Sequence, residues 1–206
     1  MSVKFNFFDT LLNQTSGDQF KCDKERVLDL MNAVAIKFIE FEKELEPPSS
    51  AVVALSANCG VALPQSIACG LTCISDKHLL LETIISFIEL NYRKNADEVA
   101  RNIVPGIGHP SIKGEDSRVN FLFSEFQDIA GDRVAFYLEL QEILSPLKIN
   151  IGGAMCSLML DAGINREYIS YFPLVGRIFG WSKIYRSINN KHNKVRPSNL
   201  IINEND

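Results

Sequence analysis

From Pro47 to Ser75 the sequence carries no charged residue, and this stretch constrains the fold more than any other. Such a run is long enough to cross a bilayer as one helix. Pro47, Pro48, Asn58, Pro64, Gln65 and several serines lie within it, and lipid offers their polar groups no partners. Two helices divided near Gly60 to Pro64 and enclosed by protein on every side give the same all-round apolar signature at lower cost. The second would run from about Pro64 to Ile74, where Ala, Gly and Cys permit close helix approach.

On either side of this stretch the apolar residues recur at helical spacing. Val27, Met31, Val34, Phe38, Phe41 and Leu45 alternate steps of four and three, and Pro47 and Pro48 end that helix. After the polar turn Ser75-Asp76-Lys77-His78, a helix carries Leu81, Ile84, Ile85, Ile88 and Tyr92 on one face. Gly106, Gly108 and Pro110 break the next segment; Val119, Leu122, Phe126 and Ile129 restart a helix. Val134, Leu138, Gln141 and Leu144 mark another, stopped by Pro146, and Ile151 to Ala162 is apolar or small nearly all round. Tyr168, Ile169, Phe172 and Val175 begin a last helix through Arg177 and Trp181, with an extended polar tail beyond Ile188. No alternating strand pattern of convincing length occurs, so the expected architecture is all-α.

At 206 residues, 46% of them hydrophobic, the chain can bury a core as one globular domain spanning 1–206, with 1–25 and 199–206 peripheral. Lys plus Arg (21) nearly balance Asp plus Glu (25), and no basic run interleaved with aromatics offers a footprint for nucleic acid. Cys22, Cys59, Cys69, Cys73 and Cys156 form an odd set without paired metal-ligand spacing. They read as buried free thiols in a reducing compartment. The N-terminus lacks a sustained apolar core and a small-residue cleavage site, so a cytoplasmic protein without a membrane segment is expected.

The segment VPGIGHPSIKGEDSR, Val104 to Arg118, is where chemistry concentrates. A glycine-rich turn exposes backbone N–H groups to an anion or a ring edge. It presents His109, followed by the cations Lys113 and Arg118 on what should become a helix. Taken alone, a histidine after a glycine turn is most simply a surface residue of an interhelical loop.

Three blocks in sequence order change that reading. The loop is similar to the PGxGHxxxxxxDPR pattern of the citrate synthase and citryl-CoA lyase superfamily, standing here as Pro105, Gly106, Gly108, His109, Asp116, Ser117 and Arg118. The segment INIGGAMCSLMLDAGI followed by FPLVGRIFGWSKI resembles the family's NVDGA segment and GRxxGW helix. Arg196-Pro197-Ser198 resembles its C-terminal RPxS. Together the likeness runs from about Ser49 to Ser198.

The resemblance implies a helical homodimer with sites at the subunit interface, acting on an acyl-CoA and a small oxo or hydroxy carboxylic acid. The reaction would be Claisen-type formation or cleavage of a carbon–carbon bond, with coenzyme A thioester as substrate or ligand and no tightly bound cofactor or metal. His109 matches the histidine at the oxo-acid carbonyl. Arg118 and Arg177 match carboxylate-binding arginines, which grip through paired hydrogen bonds. Arg196 would reach the neighbour's site. Val104, Pro105, Gly106, Ile107 and Gly108 would embrace coenzyme A. His78 is the candidate for the histidine that hydrogen-bonds the enol oxygen, although leucines replace the glycines that follow it in the family.

Two positions depart further from the pattern. Gly152 stands where the family has its catalytic aspartate, and Glu44 falls near the place of an upstream substrate-binding histidine. Neither Asp161 nor Glu167 is an evident substitute base. Two readings therefore remain: a lyase or synthase with its base relocated, or a catalytically degenerate relative that binds coenzyme A or a carboxylate, or serves as a partner subunit. Losing a general base costs about two to four orders of magnitude in rate.

Overall fold

Ten helices realise this periodicity in a computed structural model that describes residues 23–41, 47–75, 81–109, 112 and 114–191. They are α1 (Lys24–Phe41), α2 (Pro48–Asn58), α3 (Leu63–Leu71), α4 (Glu82–Asn91), α5 (Ala96–Val99), α6 (Ser117–Glu125), α7 (Asp132–Ile143), α8 (Ile151–Asp161), α9 (Arg166–Ile169) and α10 (Tyr171–Lys191). Among the described residues the strand-like pairing is an isolated antiparallel bridge between Ile107 and Ile149. No helix of the described residues is long and apolar enough to cross a membrane. His78, Arg196, Glu44, Lys113 and Cys22 lie outside the described residues.

Helix α8 is the axis of the core. Every residue from Ile151 to Leu160 is buried, which is what an apolar sequence without a polar stripe requires. It packs on α7, α6 and α4. Phe87, Phe136 and Tyr137 pack as an aromatic group whose ring centroids lie 6.2–6.4 Å apart.

Asp161, at the end of α8, does a structural job. Its carboxylate accepts the backbone N–H groups of Gly131 (2.8 Å), Arg133 (3.2 Å) and Val134 (3.0 Å), and pairs with Arg133 Nη1 at 3.3 Å. Those amides belong to the first turn of α7, which has no side-chain cap of its own and whose N–H groups lack helical partners. Asp161→Ala is therefore expected to destabilise the protein by about 2–3 kcal/mol, since one buried side chain serves several donors. Urea unfolding would measure it; a loss within about 0.5 kcal/mol would contradict the assignment.

Helix α10 lies along α1 and over the α2–α3 pair. A Cβ at Gly176 would collide with the Ala35 carbonyl oxygen, so this glycine sets the approach of α1 and α10. Trp181 is fully buried, and its indole N–H donates to Ser50 Oγ at 3.1 Å. Gly70 makes room for it, because a Cβ there would lie 3.1 Å from the indole ring and 2.7 Å from Val53 Cγ2.

Several sequence expectations need correction. Among the described residues the uncharged pair is not enclosed on every side: α2 buries Ser49, Ser50, Val53 and Ala57, and α3 buries Ser66 and Gly70, while Leu71 is exposed. Among the described helices, α10 packs on both members of the pair and covers one face of it. Leu138 and Val175, which mark helices in the sequence, are exposed; α7 turns Val134, Phe136, Tyr137 and Leu140 inward. The segment from Tyr168 to Trp181 is two helices, broken at Ser170. The described cysteines are free thiols, but only Cys156 is buried, Cys59 being exposed and Cys69 and Cys73 half-buried.

Candidate functional site

The glycine-rich loop is clasped to the strand-like segment entering α8. Gly108 N–H donates to the Lys148 carbonyl at 2.7 Å, and Asn150 N–H donates to the Gly106 carbonyl at 2.9 Å. Below the loop, buried Tyr137 donates its hydroxyl to the Pro105 carbonyl at 2.7 Å. Gln141 accepts the Ile149 N–H at 2.9 Å. Gly106, at φ +87, lies against Gly153 so closely that a Cβ on Gly153 would stand 2.5 Å from the Gly106 oxygen. A backbone contact of this kind requires two residues without side chains.

His109 leaves this clasp half-buried. Its Nδ1 accepts the Ile112 backbone N–H at 3.0 Å. A backbone amide only donates, so Nδ1 is unprotonated in this arrangement and the neutral ring carries its proton on Nε2. Burial lowers the imidazole below its ordinary value, and the positive charge of Arg118 adds to the effect; Asp116 opposes it. The result is a neutral imidazole with one N–H donor, a group suited to a carbonyl oxygen.

Arg118 is buried, and so is its partner. Asp116 accepts Arg118 Nε at 2.8 Å and Nη2 at 2.5 Å, while the same carboxylate takes the Arg118 backbone N–H at 3.0 Å as N-cap of α6. A fork-to-fork pair fixes the guanidinium plane. Ser117, which stands where the resembling sequence pattern has proline, is the first residue of α6. Proline and serine both suit that position, so the departure leaves the helix start intact.

Arg177 is buried on α10, its guanidinium carbon 5.5 Å from the centre of the Phe38 ring of α1. The structure thus brings His109, Arg118 and the clasped loop together, and seats Arg177 where α1 and α10 meet. Gly152 is buried in the first turn of α8 and faces α4: a Cβ there would lie 2.8 Å from Ile84 Cδ1, 3.1 Å from Asn150 Oδ1 and 3.6 Å from Leu81 Cδ2. Sequence reasoning passed over Asn150, Tyr137 and this apolar corner. For Asn150 a signal existed, an asparagine directly before an apolar helical run.

His109 links pH to stability. Its unfolded imidazole titrates near 6.5 and its folded one lower, so between the two values the unfolded chain binds more protons. The stability contributed by neutral His109 is present above 6.5 and is lost as pH falls through the folded value. Melting curves from about pH 8 to about pH 5 should show wild type losing stability faster than His109→Gln below pH 6.5. Parallel curves would mean that His109 titrates alike in both states.

No family model and no curated protein matches the sequence. Solved structures do match the fold. A citryl-CoA lyase from Hydrogenobacter thermophilus superposes with a TM-score of 0.74 at 19% identity, covering 88% of this chain and 78% of that one. An ATP citrate lyase from Methanothrix soehngenii, in complex with citrate and coenzyme A, gives 0.70 at 19% identity over 86% of this chain and 34% of that one. A citrate synthase from Pyrobaculum aerophilum gives 0.65 at 16% identity over 98% and 53%. The chain has the helical fold of these citrate synthase-like proteins, and spans about a third of the ATP citrate lyase and about half of the citrate synthase.

Proposed function

We propose that this citrate synthase-like chain binds a coenzyme A thioester together with a small oxo or hydroxy carboxylic acid. His109 would donate its Nε2 proton to the acid's carbonyl oxygen. Arg118 and Arg177 would pair with carboxylates, and Val104 to Gly108 would lie along coenzyme A. The observation that carries the reading is the locked imidazole: one glycine-rich loop holds a neutral, Nε2-protonated His109 beside the charge of Arg118. The ATP citrate lyase that shares the fold holds citrate and coenzyme A, and the ligand class is taken from it.

Binding without proton removal at the usual place is the better-supported form of this function. Gly152 faces Ile84 and Leu81, and Asp161 is engaged as the cap of α7. Claisen-type bond formation or cleavage with a relocated base is the second reading, favoured by the His109 tautomer, which is the one that would polarise a carbonyl.

A second copy of the chain would cover the uncharged face of α2 and α3 and bring its Arg196 to the site. Titration calorimetry with coenzyme A and with oxaloacetate tests the binding. Thiol release from acetyl-CoA plus oxaloacetate, and cleavage of citryl-CoA, test turnover. Micromolar to millimolar binding without turnover is expected, and turnover would move the conclusion to the second reading. Absence of binding to either ligand by a dimeric sample in sedimentation would sink both.

A further inference from the structure

Asn150 does two things with one amide. Its Oδ1 accepts the N–H groups of Gly152 (2.9 Å) and Gly153 (3.1 Å), capping α8, and its Nδ2 donates to the Gly108 carbonyl at 2.7 Å. A cap needs only an acceptor, which Ser, Thr or Asp supplies as well as Asn. Reaching Gly108 in addition needs a donor on a second atom of the same short side chain: ionised Asp has no donor, Ser and Thr carry acceptor and donor on one oxygen, and Asn alone of these places them on two atoms.

Gly108 is the residue before His109 and lies at φ +84, in the left-handed region where a glycine backbone turns freely. Its N–H is held by the Lys148 carbonyl and its carbonyl by Asn150. With both groups tied, the direction in which His109 leaves the loop is set, and Nδ1 meets the Ile112 amide.

We infer that Asn150 is a positioning residue for His109, acting through the Gly108 carbonyl. The functional value of this role rests on the reading of His109 as the group that faces a ligand carbonyl. The contact itself stands on the clasp alone. The first turn of the central helix and the orientation of the candidate site's imidazole are thereby joined through a single side chain.

Asn150→Asp keeps the cap, removes the donor and sets an oxygen against the Gly108 carbonyl; Asn150→Ser keeps the cap but has no atom at the Nδ2 position, its single hydroxyl lying one bond short of the Gly108 contact. The readout is the nitrogen NMR spectrum of the histidine rings of the unliganded protein, with His109→Gln identifying the His109 signals among the three histidines. Wild type should show His109 as a single Nε2-protonated tautomer. Both variants should fold and show mixed tautomers, and in Asn150→Ser the titration midpoint should rise toward the ordinary imidazole value. Folded variants that retain the wild-type tautomer and midpoint would overturn the proposal.

Should the variants fail to fold, amide exchange of wild type decides. The Gly108, Gly152 and Gly153 N–H groups should exchange within about tenfold of one another if the clasp opens as a unit. Exchange of Gly108 faster by more than about a hundredfold would overturn the proposal. None of these readouts requires a ligand. A wild type that binds neither coenzyme A nor oxaloacetate would thus defeat the functional reading while leaving the Asn150 contact to its own test.

Discussion

Gly152→Asp, made alone, is expected to yield no α-proton exchange of acetyl-CoA and to lower stability by about 2–4 kcal/mol. The new Cβ would point at Ile84 Cδ1, 2.8 Å away, with Leu81 Cδ2 behind it. Ile84 can yield, because the contact is the end of a flexible chain, so the steric cost is small. Desolvation decides the outcome. An aspartate in the first turn of α8 gains about 0.5–1 kcal/mol from the helix dipole. Against that, its carboxylate meets two aliphatic side chains and the Asn150 oxygen. Burial raises the carboxyl's pKa, and a protonated acid cannot take a proton from a thioester.

Gly152→Asp combined with Ile84→Ala opens the corner to water and should permit exchange where neither change alone does. Deuterium incorporation into acetyl-CoA followed by mass spectrometry measures this. Exchange by the single variant would show that Ile84 does not close the corner and that the carboxylate alone was lacking.

Gly153→Ala should be more damaging than its size suggests, costing about 3 kcal/mol and about 6–12 °C in melting temperature. Its methyl group would lie 2.5 Å from the Gly106 oxygen and 2.8 Å from Tyr137 Cε1. The oxygen belongs to backbone that Asn150 N–H also holds, and Tyr137 is fully buried, so neither can withdraw without lifting the loop. Coenzyme A binding should fall with stability. Gly60→Ala is the control: nothing lies within 4 Å of its Cβ, and its positive φ alone should cost about 1 kcal/mol. Equal effects at the two glycines would remove the loop–helix contact as the cause.

The candidate site was legible where its residues are close in sequence. His109 and Arg118 share one segment, and the structure holds them within electrostatic reach. Asp116 was visible as part of that pattern, but its fork-to-fork grip on Arg118 was not. The partners that hold the loop, Tyr137, Lys148 and Asn150, lie about 30 to 40 positions away, beyond any helical or strand period.

The same division governs the fold. Sequence alone determined that the chain is helical, that breaks fall near Pro47, at Gly106 to Pro110 and before Pro146, and that α8 is apolar all round. These are short-range properties, carried by spacing at three and four residues and by the backbone limits of glycine and proline. Only the tertiary structure decided that α10 covers one face of α2 and α3, that Leu138 and Val175 face outward, that Asp161 caps α7, and that Gly152 looks onto Ile84 and Leu81. Periodicity says which residues share a face of a helix; what meets that face depends on packing between distant segments, where a contact is decided over a few ångströms.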